Sequence, residues 1–200
     1  MYYLFFVTVI LLAFSPGPNV VLMINNGLRY QLKDAVFAVF GIFSGLIFFA
    51  VISSFSVQGV FKFSTNFYTY LKFVGAFYLI YLGIKNIISK DKYNFVNAQS
   101  SVRPNRFKLY YESLICCLTN PKILFLYVAL LPNYIVNEKN ILIQIFTLSF
   151  IQISVVVFSM VTYLLIANRA SKILLAKIKY IRYFSGSVMI LLALSLLVTI

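Results

Sequence analysis

Ser15-Pro16-Gly17-Pro18-Asn19 interrupts an otherwise apolar run over residues 2–24, and Thr119-Asn120-Pro121-Lys122 interrupts a second run over residues 109–131. Each run is long enough to span a membrane, which takes ~20 mostly apolar residues. A proline inside such a helix removes one backbone hydrogen bond and frees a carbonyl. Lipid offers that carbonyl nothing, so a break at membrane depth persists only where protein or a watery cavity supplies partners. The two breaks therefore predict an interior site.

The rest of the chain makes lipid the solvent. Of its 200 residues 62% are hydrophobic and 10% charged, with a mean hydropathy of +0.95. A soluble domain is about half apolar and about a quarter charged. Long apolar runs without two-residue alternation exclude a transmembrane barrel. The expectation is an all-α integral membrane protein with six transmembrane helices at about 2–24, 35–57, 67–88, 109–131, 141–167 and 183–200. They form a single transmembrane domain over residues 1–200, with halves at about 1–92 and 107–200 joined by the hydrophilic linker 89–108. The first run has neither the basic start nor the small-residue cleavage site of a signal peptide, so it is expected to be retained. Lys72 and Lys85 lie near opposite ends of the third span and are expected to snorkel outward.

There are 17 Lys and Arg residues against 4 Asp and Glu, and no His. On a soluble chain this excess would suggest nucleic acid. On a membrane chain it is an orientation signal, and no nucleic-acid partner is expected. Thirteen of the 17 fall in the 1–2, 3–4 and 5–6 connections, the last a basic loop over residues 168–182. The bias places those connections in the cytoplasm and both termini outside. Cys116 and Cys117 are adjacent, so their side chains diverge on a helix. They read as packing residues, and without His no metal site is expected. No cofactor motif and no acid–base or nucleophile cluster marks an enzyme.

The two breaks occupy corresponding positions in the two halves, and the halves enter the membrane from opposite sides. Helices 1 and 4 of two inverted three-helix repeats, each broken at a Pro-containing motif, are the best sequence pointer to a transporter's central site. The backbone around Pro16, Gly17, Pro18 and Asn19 and around Asn120, Pro121 and Lys122 is expected to bind the substrate. Free N–H groups at the positive end of a half-helix suit a carboxylate, and unwound carbonyls suit an ammonium. Lys122 lies deep in its span, where a charge is costly and is functional or paired. It either attracts the substrate, pairing with Glu112 when the site is empty, or caps the carbonyls of a broken helix. If protons are exchanged, the candidates are Glu112, Asp34 and Lys122. Gly41 and Gly45 form a small-xxx-small stripe for close helix packing or a homodimer contact. Gly75 and Gly186 mark the starts of the third and sixth helices as further packing points.

Taken in order, the motifs resemble the lysine exporter (LysE/RhtB) family of bacterial amino-acid efflux proteins. Ser15-Pro16-Gly17-Pro18-Asn19 is similar to that family's first-helix signature, and the segment 71–85, with Gly75-Ala76, Tyr78-Leu79 and Tyr81-Leu82-Gly83, to its third helix. Leu118-Thr119-Asn120-Pro121-Lys122 with Leu131-Pro132 resembles its fourth, and Arg182 with Ser185-Gly186 the start of its last. The chain departs from the family at Tyr30-Gln31-Leu32-Lys33-Asp34, where relatives have a small, basic Gly-rich turn, and in its sparse fifth-helix polar pattern. The resemblance implies export of amino acids or close derivatives across the bacterial inner membrane, energised by its electrochemical gradient. The partners are then a small-molecule substrate and membrane lipids. Two other readings are an exporter of a metal cation or another small solute and a non-transporting accessory membrane protein.

Overall fold

The computed structural model describes residues 2–60, 65–88, 104–135 and 140–198, and among these there is no strand. The elements in order are α1 (Tyr2–Ala13), α2 (Pro18–Arg29), α3 (Leu32–Val60), α4 (Thr65–Ile88), α5 (Arg106–Leu118), α6 (Pro121–Phe125) and α7 (Ile141–Val198). Between α6 and α7 the chain makes a π turn, Leu126–Leu130, and a 3-10 turn, Leu131–Tyr134. Two stretches among the described residues, Leu32–Phe55 and Ile141–Ala170, are long and apolar enough to cross a membrane unbroken. Two bent pairs qualify when each is taken as one span: α1 with α2 at 55°, and α5 with Pro121–Tyr134 at 50°. Large side chains such as Phe40, Phe77, Phe146 and Phe150 stand exposed around the outside, as expected of a surface that faces lipid.

Local chemistry explains each break. Pro18 sits in the first turn of α2 and Pro121 in that of α6, where a missing N–H costs nothing and the fixed φ suits a helix start. Asn120 caps α6, its side-chain oxygen accepting from the Lys122 N–H at 3.0 Å. The π turn, in which the Leu131 N–H reaches back to Leu126 O, precedes Pro132, whose ring would collide with the carbonyl four residues earlier in an α-helix. Asn105 starts α5 by accepting from the N–H groups of Phe107 and Lys108. Residues 89–103 of the expected linker lie outside the described residues.

The expected loop over residues 168–182 is not a loop. The chain stays helical through it apart from a kink at Ala170 (φ −137°, ψ 41°). The kink folds the two pieces together. Tyr163 donates to Phe14 O and Ser15 donates to Met189 Sδ, yet residues 163 and 189 would lie ~39 Å apart on a straight helix. A run of Lys and Arg reads as a solvated connection, but alternating with Ile and Leu it forms a helix end equally well.

Glycines set the helix crossings. A Cβ on Gly41 would overlap Tyr110 O, and one on Gly45 would come within 2.8 Å of Cys117 Sγ. The Gly41–Gly45 stripe thus faces α5 of the same chain, which is the internal packing reading of that motif. Gly186 meets Gly83 rather than Gly75, each admitting the other's carbonyl to 2.7 Å of where a Cβ would stand. Gly75 lines a cavity instead. The start of α5 and the middle of α7 both reach the α2–α3 junction: Arg106 pairs with Asp34 at 2.8 Å, and the Asn168 amide donates to Gly27 O and Tyr30 O.

Candidate functional site: a cavity at two helix breaks

The two breaks meet. Pro16, Gly17 and Pro18 from the first and Asn120, Pro121 and Lys122 from the second line one cavity of about 370 Å³. Asn19 lies beside it, on a void of about 10 Å³ shared with Gly17, Asn120 and Lys122. Residues a hundred positions apart in sequence are thereby brought to one wall, as the paired breaks predict.

Lys122 is 7% exposed, and its Nζ donates to Leu12 O at 2.9 Å and Ser15 O at 2.8 Å. These carbonyls belong to the end of α1 and the unwound segment after it, where the helix dipole is negative. Lys122 therefore caps the first broken helix. An ammonium has three donors, so the cap uses two and leaves a third. Gly17 keeps that nitrogen accessible from the first break: a Cβ there would stand 3.4 Å from it.

Around this amine the polar groups are incompletely used. Asn120 spends its oxygen on the α6 cap, and its buried amide nitrogen has no partner. Asn19 accepts from Cys116 Sγ at 3.3 Å, and its buried nitrogen is likewise unpartnered. Gln152, fully buried one turn before Val156 of the small void, has neither amide end bonded. Buried polar atoms without partners cost ~1–3 kcal/mol each, and their clustering beside a cavity marks a place where a ligand or water supplies the missing bonds. The α2 N-terminus adds positive potential, since its N-cap Gly17 has no side chain to satisfy the first N–H groups.

Six cavity residues were not among the expected site residues: Val21, Tyr78, Leu82, Lys85, Asn86 and Met189. Asn86 donates to Ser15 Oγ at 3.2 Å and to Met189 Sδ at 3.7 Å, tying α4 and α7 to the first break. Lys85 is exposed, as snorkelling predicts, but its side chain borders the cavity and its Nζ lies 5.8 Å from the centre of the Tyr81 ring. The polar pair Lys85-Asn86 at the end of an apolar span was the available signal. Nothing in sequence marks Met189.

The two acids expected as relays lie elsewhere. Glu112 is half-exposed on α5 and pairs with Lys108 at 3.8 Å, so it does not partner Lys122. Asp34 is buried and takes both its Arg106 contacts, Nε and a terminal nitrogen, at 2.8 Å. Asp34→Asn should lower the melting temperature by a few degrees, the consequence of losing about 1 kcal/mol from a pair with one half-exposed partner. Differential scanning fluorimetry of the purified variant checks it, and an unchanged midpoint would deny the pair a structural role. Among the described residues no three His, Cys, Asp or Glu side chains group to hold a metal.

An all-helical chain with apolar helices interrupted twice, both interruptions on one cavity, is a multi-pass membrane protein. The sequence profile of the LysE type translocator family matches residues 10–199, and the chain belongs to that family. Its relatives include the uncharacterized membrane protein YrhP of Bacillus subtilis (strain 168), 30% identical over 141 residues, 67% of each chain. An uncharacterized membrane protein of Vibrio cholerae is 28% identical over 131 residues, 66% of this chain and 63% of the relative. A leucine efflux protein of Salmonella choleraesuis is 28% identical over 134 residues, 67% of this chain and 63% of the relative. The match thus spans just under two thirds of these last two relatives. No solved structure matches the chain.

Proposed function

We propose that this protein is a secondary transporter that exports amino acids from the cytoplasm across a bacterial inner membrane, driven by the proton-motive force. In this reading the chain crosses the membrane six times as two inverted three-helix repeats, with α1–α2 and α5–α6 as the broken helices and both termini outside. The observation that carries it is the convergence of the Lys122 amine, the uncapped start of α2 and the unpartnered Asn120 amide on one cavity between the breaks. Family membership and the leucine efflux relative support amino acids as the cargo.

The cargo carboxylate takes the third donor of Lys122 and the Asn120 amide. Because the same ammonium holds Leu12 O and Ser15 O, cargo binding is coupled to the geometry of the α1 end, where the chain bends. Movement of the half-helices about the breaks then exposes the cavity to alternate sides. Of the three candidates for proton exchange, Asp34 and Glu112 are in ion pairs and Lys122 lines the cavity, so in this reading Lys122 exchanges the proton. A metal cation would find two lysines on this wall and, among the described residues, no carboxylate.

Overproduction in cells, with amino-acid analysis of the medium, tests the reading. At least one amino acid should accumulate outside above the empty-vector level, and an unchanged profile would contradict export. Collapsing the pH gradient and the membrane potential separately should each slow the efflux; insensitivity to both would remove the proton-motive force.

A further inference from the structure

The cavity wall also speaks to which amino acids fit. We propose that the cargo has a largely apolar side chain without positive charge, lying against Tyr78, Leu82 and Met189 with its carboxylate at Lys122, and that basic amino acids are turned away. This rests on the amino-acid export reading and extends it to the class of side chain. The charge inventory comes first. Lys122 and Lys85 both border the cavity and, among the described residues, no Asp or Glu does. A lysine or arginine cargo would bring a second cation to a wall without an anion, and an unpaired charge against such a wall is strongly disfavoured.

Most of the polar groups present match the parts common to all amino acids and leave the side chain largely to carbon, with the buried, unpartnered Tyr78 hydroxyl the one polar atom left over on that wall. The Asn86 nitrogen is committed to Ser15 Oγ and Met189 Sδ, which fixes how the amide faces and leaves its oxygen to accept from the cargo ammonium. Across from it Tyr78 packs on Phe125, their ring centres 5.9 Å apart, and Leu82 and Met189 complete an apolar surface; a thioether adapts readily to aliphatic shapes. A cavity of about 370 Å³ is at the small end of the ligand range, which suits one free amino acid. Lys85 stands at the exposed edge of the cavity, its Nζ 5.8 Å from the centre of the Tyr81 ring, where its charge adds to the repulsion of a basic side chain.

Counterflow in proteoliposomes tests this with the purified full chain. Liposomes loaded with leucine take up labelled leucine, in competition with external methionine, isoleucine, lysine or arginine. Methionine and isoleucine should compete as well as leucine itself, and lysine and arginine at least about tenfold more weakly, a modest penalty for an unpaired charge. Lys85→Glu should strengthen competition by lysine about tenfold relative to methionine, since it replaces repulsion with attraction at the cavity edge. Lysine or arginine competing as well as methionine would overturn the side-chain assignment and leave amino-acid export standing, as would exchange of lysine without exchange of leucine. If liposomes loaded with each amino acid of the panel in turn show no exchange at all, both this inference and the export reading fall.

Discussion

Lys122→Met reduces amino-acid efflux to the background of cells without the transporter, while the protein still reaches the membrane. Methionine nearly preserves the volume of the lysine stem, so the void beside Asn19 and Asn120 does not grow. What disappears is the donor shared by Leu12 O and Ser15 O and the charge offered to the cargo. Each orphaned carbonyl costs ~1–3 kcal/mol, which lowers the melting temperature without unfolding a protein of ordinary stability. Loss of a buried charge-assisted bond to a carboxylate costs another 2–5 kcal/mol of binding, enough to weaken affinity about thirtyfold or more. The measurement is the initial efflux rate per folded molecule, with folded protein counted by size-exclusion chromatography. A purely structural lysine predicts less protein but an unchanged rate per molecule, and that result would remove Lys122 from the site.

Gly41→Val prevents accumulation of folded protein. The added Cβ would overlap Tyr110 O and stand 3.0 Å from Leu114 N. Both are backbone atoms of α5 that no rotamer change can move. Overpacking costs 1–3 kcal/mol even where side chains give way; here the crossing of α3 and α5 must open, against a total stability of ~5–15 kcal/mol. Gly17→Ala is the contrasting case, because its Cβ would meet only the flexible end of Lys122 at 3.4 Å. The yield of monodisperse protein in detergent should collapse for Gly41→Val and hold for Gly17→Ala. Equal yields would mean that α3 and α5 do not cross at Gly41.

The breaks were legible because proline and glycine act locally: a missing N–H in an apolar run needs a partner wherever the run ends up. That pattern gave six of the residues lining the cavity before any tertiary contact was known. The role of Lys122 was half legible. Burial demands a partner, and the sequence offers Glu112, ten residues or ~15 Å away along a helix, or the carbonyls of a broken helix; the second holds, with Leu12 O and Ser15 O supplied across the bundle by the first break. Met189 is invisible for the same reason, and Asn86 shows only as a polar residue at the end of an apolar span, since their function depends on which helices lie against the first break. Gly75 and Gly83 are both single glycines in one apolar helix, and only the crossing point with α7 tells them apart. The basic stretch after the fifth span reads as a loop because charge pattern reports the solvent around a segment and not its backbone.

The claim that cargo occupies the cavity between the breaks is tested most directly by protection of a cysteine placed in its wall. Leu82 borders the cavity and takes no part in the hydrogen bonds of the Lys122 cap, so Leu82→Cys adds a thiol there, and labelling of the parent protein corrects for Cys116 and Cys117. In purified protein the reaction of this thiol with a small maleimide should slow at least severalfold under saturating leucine. An unchanged labelling rate in a preparation that still exchanges leucine would place the transported amino acid somewhere else.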